Sequence, residues 1–241
     1  MRAYENYLFD LYGTLVDVLT DEERPEFWRA AAECFRSNGA DYTADGLRRE
    51  YLALCARETV LLAAARPELG EAHVEIDLRR VFRSLYAQKG ADASDGRVDD
   101  TAVRFRRLSY LLAPRLYDGA AELLRTLRLR GAGVYLLSNA QSCFTLPELR
   151  ELGILEAFDG IYISSDLGCK KPSAAFYSAA LERAGISTEG ALMVGNDDVA
   201  DMRGAAQAGI DGAYIQTAIS PPPRGALPVR CREIKSLADI L

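Results

Sequence analysis

Four places in the chain set a polar, reactive side chain at the end of an apolar run. The first is Tyr7-Leu8-Phe9-Asp10-Leu11-Tyr12-Gly13-Thr14, where the run stops at a carboxylate followed by a glycine and a hydroxyl. A buried parallel strand delivers a residue in this way to the carboxyl edge of its sheet, where open α/β sheets bind ligands. Gly13 permits a sharp turn there without a Cβ penalty. Asp10 is therefore a candidate nucleophile. The second place is Ser138-Asn139, after Val134-Tyr135-Leu136-Leu137. A hydroxyl and an amide there can donate to an oxyanion or a phosphoryl oxygen. The third is Lys170-Lys171-Pro172, where Lys171, just before a helix, can hold a phosphoryl oxygen and the nucleophile's charge together. The fourth is Gly195-Asn196-Asp197-Asp198, with Asp201 beyond. Acids gathered at a strand end repel one another unless a cation sits among them, and oxygen ligands of this kind suit Mg²⁺.

Composition removes other chemistries. His73 is the only histidine and sits among charged residues, as a solvated helix position would. Without it neither a Ser-His-Asp nor a Cys-His mechanism has its base. The five cysteines, Cys34, Cys55, Cys143, Cys169 and Cys231, are scattered and form no paired metal-ligand spacing. They read as reduced thiols of a cytoplasmic protein. Net charge is −6 with no basic block, which argues against nucleic acid or an anionic membrane as partner. No apolar run approaches the ~20 residues of a membrane span, and the N-terminus carries no signal-peptide pattern.

The elements that must position these side chains fall into two kinds. From about Asp21 to Leu112 the apolar residues recur at helical spacing and no strand is evident. Pro25 opens a helix that Gly39 stops. Thr43 caps a second, whose inner face holds Leu47, Tyr51, Leu54, Cys55, Leu61 and Leu62. Val74 to Tyr86 form a third. A polar stretch from Ala91 to Gly96 reads as a loop, and Asp99 or Asp100 caps a fourth helix that halts before Pro114. From Leu116 onward strands alternate with helices, with Ala213-Tyr214-Ile215 as the last strand. Helices are expected after Asp118, from Pro147 to Leu152, from Pro172 to Ala184 and from Asp201 to Ala208. That alternation predicts a parallel sheet with right-handed crossovers. The expected organisation is an α/β core of residues 1–17 and 115–241, interrupted by a helical subdomain of residues 18–114.

In order and approximate spacing the four stretches resemble the four motifs of the haloacid dehalogenase-like hydrolase superfamily. The resemblance spans nearly the whole chain, and the helical block falls where that family places its helical cap. It implies a Rossmann-like core and a cap closing over Asp10. It implies an aspartyl-phosphate intermediate on Asp10, which water then hydrolyses. Mg²⁺ would be held by the Asp10 carboxylate, the Tyr12 carbonyl and a residue of the fourth motif. Thr14 and Ser138 would bind phosphoryl oxygens, Lys171 would neutralise charge, and Asp201 would orient Lys171 or a metal-bound water. Asn196 or Asp197 fills the acid's place, depending on the spacing to Asp201. A carboxylate binds Mg²⁺ better than an amide, which favours Asp197.

Position 12 departs from the pattern. The superfamily's phosphatases usually carry there the Asp that protonates the leaving alcohol, and a phenol with a pKa near 10 replaces it poorly. Losing a general acid costs ~10²–10⁴ in rate. The substrate is then a small phosphorylated metabolite whose leaving group needs little protonation, or another acid comes from the cap. Alternatively, Asp-x-Tyr-Gly-Thr resembles the first motif of the 2-haloacid dehalogenases, since halide needs no proton, with Arg29, Arg48, Arg49 or Arg57 as the clamp on a substrate carboxylate. A third reading is a site that binds a phosphorylated ligand with little turnover. The fourth-motif acids favour the metal-dependent phosphohydrolase. Either a monomer or a homodimer accommodates the apolar helical surface.

Overall fold

The computed structural model describes residues 4–241; residues 1–3, at the start of the expected core segment, lie outside the described residues. The chain opens with β1 (Asn6–Phe9) and β2 (Val16–Thr20). Four helices follow: α1 (Pro25–Ser37), α2 (Ala44–Ala65), α3 (Leu78–Ala87) and α4 (Asp95–Ser109). Next come β3 (Tyr110–Leu116), α5 (Ala120–Leu129), β4 (Gly133–Ser138), α6 (Ser142–Glu151), β5 (Gly160–Ile163), α7 (Ser164–Leu167) and α8 (Ala174–Ala184). The chain ends with β6 (Ala191–Gly195), a π-helical turn (Asp198–Arg203), α9 (Gly204–Gln207), β7 (Asp211–Ile215) and β8 (Cys231–Ile234).

Six strands form one parallel sheet in the order β5-β4-β1-β6-β7-β8. β1 lies between β4 and β6, with Leu8 level with Tyr135 and Met193. Its side chains alternate between two apolar layers. Tyr7 and Phe9 pack with Leu136, Val194 and the helix α5, while Leu8 packs with Leu137, Met193 and Phe176 on the other face. Burial on both faces explains why β1, β4 and β6 read as unbroken apolar runs.

The helices α1 to α4 have a core of their own, built largely from aromatic rings. Phe105 meets Phe27 edge-on at 4.8 Å between centroids and Phe82 at 5.1 Å. Phe144 of α6 enters the same cluster and joins the block to the sheet domain. The expected junctions at 17/18 and 114/115 fall inside an antiparallel ribbon of β2 and β3, with Val16 opposite Leu116 and Asp17 opposite Arg115.

Several expectations need correction. β3 begins inside the stretch read as purely helical. Two of its three leucines face outward, Leu111 at 52% and Leu112 at 36% exposure, so no alternation marks it, and an edge ribbon tolerates Pro114. α4 starts at Asp95, within the stretch read as a loop; Asp99 lies inside the helix and pairs with Arg79. Thr43 does cap α2, but Leu61 on that helix is exposed. Gly119, in the left-handed region, and not Asp118, precedes α5. α6 starts five residues before Pro147, and Ser173 caps α8. A further edge strand, β8, follows the proline-rich segment; Cys-Arg-Glu-Ile is too polar to announce it. His73 lies in a short 3₁₀ turn, half-buried, with Nδ1 3.1 Å from the Leu69 carbonyl. The five cysteines are free thiols, and no helix among the described residues is long and apolar enough to cross a membrane.

Phe105 is 2% exposed at the centre of the aromatic cluster. Phe105→Ala should cost about 3–5 kcal/mol in urea unfolding; a loss under about 1 kcal/mol would mean the four helices do not share a packed core.

Candidate active site

The carboxyl ends of β1, β4 and β6 converge on one cavity of about 250 Å³. Asp10, Tyr12, Ser138, Asn139, Lys171, Asn196, Asp197 and Asp201 all line it, as do Ile219 and Pro221 from the loop after β7. Thr14 is buried immediately behind Asp10.

Asp10 is held from both sides. Its backbone N–H donates to the Val194 carbonyl at 2.9 Å, continuing the sheet by one residue. The chain then turns tightly: the Leu11 carbonyl accepts from the N–H groups of Thr14, Leu15 and Val16. Gly13, at φ +87°, makes this turn, and a Cβ there would lie 2.0 Å from Asn196 Nδ2. The glycine thus lets the first and fourth stretches touch. Thr14 Oγ1 donates to Asp10 Oδ2 at 3.2 Å and lies 3.4 Å from Asn196 Oδ1.

Lys171 is the hub. Its Nζ donates at 2.7 Å to Asp10 Oδ1, to Asp201 Oδ1 and to the Leu137 carbonyl, which uses all three protons. Burial works to lower the Lys171 pKa, but the two carboxylates outweigh it and raise it, so the amine stays charged. Asp201 is buried more completely than Asp10. Burial raises its pKa, Lys171 pulls it down and Asp10 pushes it up again, leaving it at about 7. Burial sets the direction, and the shared Lys171 ammonium does not offset it. Gly195 is necessary for this packing, since a Cβ there would lie 2.3 Å from Asp201 Oδ2.

Asn139 does something other than donate to a ligand oxygen. Its Oδ1 accepts from the Lys171 N–H at 2.8 Å and its Nδ2 donates to the Lys171 carbonyl at 3.0 Å. The amide therefore clamps the lysine's backbone. The Ser138 hydroxyl, 1% exposed, has no hydrogen-bond partner among the described residues. A buried orphan hydroxyl is costly unless a ligand satisfies it.

The acids of the fourth stretch are dispersed. Asp197 Oδ1 caps the π turn, accepting from the N–H groups of Val199 and Ala200. Asp198 turns away, to the Arg224 N–H and Arg203. With Asp10 and Asp201 on Lys171, the acids are paired from within the protein, so crowding alone does not call for a cation. Among the described residues no group of three His, Cys, Asp or Glu side chains is arranged to hold a metal. Mg²⁺ needs fewer, one or two carboxylates with water and substrate oxygens completing the shell. Asp10, Asn196 and Asp197 line the same cavity, and two carboxylates and an amide fit that requirement.

Tyr12 reaches away from Asp10. Its hydroxyl donates to Glu148 Oε2 at 2.6 Å and shares a hydrogen bond with Thr145 at 3.1 Å. Glu148 Oε1 accepts from Arg106 Nε at 2.7 Å and Tyr110 Oη at 2.6 Å. Burial, and then the Glu148 charge, raise the Tyr12 pKa well above that of a free phenol. Tyr12 thus commits its proton to Glu148 and is a weaker acid than a free phenol. Glu148, Arg106 and Tyr110 had no mark in the sequence, since each lies in an ordinary amphipathic pattern. The arginines singled out there, Arg29, Arg48, Arg49 and Arg57, pair with acids of their own helical block and line neither this cavity nor the one beside Tyr12. Arg106 is the arginine beside the site.

Asn139→Ala should lower turnover of an aryl phosphate by about 10²-fold, because Lys171 loses its backbone clamp, with Tm shifted by about 5 °C or less. Turnover at the wild-type level would show that Lys171 is placed without it.

A model of the family "haloacid dehalogenase-like hydrolase" matches residues 4–209. The putative HAD-hydrolase YfnB of Bacillus subtilis is 25% identical over 244 residues, covering 100% of this chain and 97% of that protein. Its crystal structure, bound to magnesium, superposes with a TM-score of 0.53 at 22% identity, over 99% and 97% of the two chains. A phosphoglycolate phosphatase of Nitrosococcus oceani is 38% identical over 207 residues, 85% of this chain and 80% of that one. A 2-haloacid dehalogenase from Pseudomonas syringae shares the fold with a TM-score of 0.64 at 19% identity, over 98% and 96% of the chains. With the four stretches gathered on one sheet edge, these matches make the chain a member of the haloacid dehalogenase-like hydrolase family.

Proposed function

We propose that this chain is a Mg²⁺-dependent phosphohydrolase acting on a small phosphorylated metabolite in the cytoplasm. In this reading residues 18–114 are a cap over a core of residues 1–17 and 115–241. The observation that carries it is the buried Asp10–Lys171–Asp201 chain beside the orphan hydroxyl of Ser138. An anionic group bound against Asp10 would satisfy that hydroxyl and draw on the Lys171 charge.

An Asp10 oxygen attacks phosphorus as the bond to the leaving oxygen breaks, giving an aspartyl phosphate and an alkoxide that takes a proton from solvent. Water then attacks phosphorus, its proton passing to solvent, and the bond from phosphorus to the Asp10 oxygen breaks, releasing phosphate and restoring Asp10. Thr14 orients the Asp10 carboxylate, Ser138 donates to a phosphoryl oxygen, and Lys171 offsets the negative charge, held by Asp201 and Asn139. Asp10, Asn196, Asp197 and the Tyr12 carbonyl would hold Mg²⁺, which supplies charge stabilisation to the phosphoryl oxygens. Of the two fourth-stretch residues, Asn196 lies against Gly13 and Thr14, while Asp197 gives one oxygen to its helix cap.

The Tyr12 geometry favours a second reading, halide displacement from a 2-haloacid by the same Asp10, because that leaving group needs no proton. Phosphate release from metabolites and aryl phosphates, with Mg²⁺ or chelator, separates the two. We expect Mg²⁺-dependent release that Asp10→Asn abolishes, with rates rising steeply as the leaving group becomes more acidic. Halide release from 2-chloropropionate without phosphate release would replace the proposal with the second reading.

A further inference from the structure

A second cavity, of about 420 Å³, opens between the sheet domain and the helical block. It shares Tyr12 and Asn139 with the Asp10 cavity, so a ligand group leaving Asp10 toward the helices enters it. Its volume suits a small metabolite fragment. Two of its wall residues have polar capacity that the protein does not use.

Arg106 is one. Its side chain is 13% exposed, stacked near the rings of Tyr12, Tyr110 and Phe144, with Nε committed to Glu148. Its two terminal amino groups donate to no acceptor among the described residues, though a guanidinium carries five N–H donors. Glu22 is the other. It is half-buried, in the turn before α1, and its carboxylate accepts no hydrogen bond from any described residue. Burial pushes its pKa up, and Arg106 is the charge that pulls it back down. The two charged side chains of this wall, Glu22 and Arg106, are of opposite sign, and Glu148 lies behind Arg106, outside the lining.

We propose that this cavity receives the alcohol half of a phosphorylated zwitterion, with Glu22 taking an ammonium group and the free amino groups of Arg106 taking a carboxylate. The phosphohydrolase reading supplies the chemistry on which the proposal rests. A leaving group bearing only a carboxylate would leave Glu22 unmatched, whereas a zwitterion gives each of the two wall charges an opposite partner. An ammonium next to the alcohol also acidifies it by electron withdrawal, which suits a site whose position 12 offers no acid.

The test compares O-phospho-L-serine, O-phosphoethanolamine, glycerol 3-phosphate and 2-phosphoglycolate, with p-nitrophenyl phosphate as a reference, in the full chain with Mg²⁺. The expected order of kcat/KM is that in which they are named. Glu22→Gln should lower the ratio of phosphoserine to glycerol 3-phosphate by about tenfold or more. Arg106→Lys keeps a cation on Glu148 but loses the guanidinium fork, and should bring phosphoserine down to the level of phosphoethanolamine. Calorimetric titration of the Asp10→Asn protein with phosphoserine and 2-phosphoglycolate reads the same preference without turnover. A ratio unmoved by Glu22→Gln, or tighter binding of 2-phosphoglycolate, overturns the proposal. No hydrolysis of any ester, with phosphoserine still bound more tightly than 2-phosphoglycolate, overturns the phosphohydrolase reading and leaves the assignment of the cavity standing.

Discussion

An ammonium group buried at the edge of the sheet governs the rest of this site. A charge that deep is tolerable only when its hydrogen bonds are complete and opposite charge is close. Lys171 meets the condition with three oxygens at one distance, from β1, β4 and the turn after β6. The arrangement demands much of the surrounding chain. Gly195 must lack a side chain so that Asp201 can approach, and Asn139 must grip the lysine's own backbone. What remains open is a negative carboxylate whose other oxygen sees only Thr14, facing a cavity with an unpaired hydroxyl.

A second buried charge ties that edge to the helical block. Glu148 on α6 accepts from Tyr12 beside the nucleophile, from Arg106 on α4 and from Tyr110 at the start of β3. Three donors from three segments make one carboxylate the joint between the Asp10 turn and the helices. Glu148 thereby links the position of α4 to that of Tyr12. Tyr12 thus exchanges proton-transfer capacity for a structural contact. In the proposed phosphohydrolase the leaving group must therefore supply its own acidity or find it elsewhere.

Electrostatics in the site are local. Each acid of the fourth stretch meets a different partner: backbone N–H groups for Asp197, the Arg224 N–H and Arg203 for Asp198, Lys171 for Asp201. The neighbouring cavity differs, since Glu22 is left without a donor and Arg106 with donors to spare. In the proposed reading, the unused polarity of the second cavity selects among leaving groups.

The sequence by itself determined the α/β core with its helical insertion and the four stretches that meet at Asp10. It could do so because strands buried on both faces must be apolar throughout, and because side chains at their carboxyl ends share one edge whatever the loops do. β3, β8 and the start of α4 escaped it, because an exposed edge ribbon carries no alternation and a helix can begin on polar residues. Only the tertiary structure decided what each polar side chain spends its hydrogen bonds on. Asn139 could have faced a ligand and instead holds Lys171; Tyr12 could have stood by Asp10 and instead joins Glu148; Arg106, far from every motif, stands beside the site. Those choices depend on partners 32, 136 and 42 residues away along the chain, and no local pattern records a contact at that range.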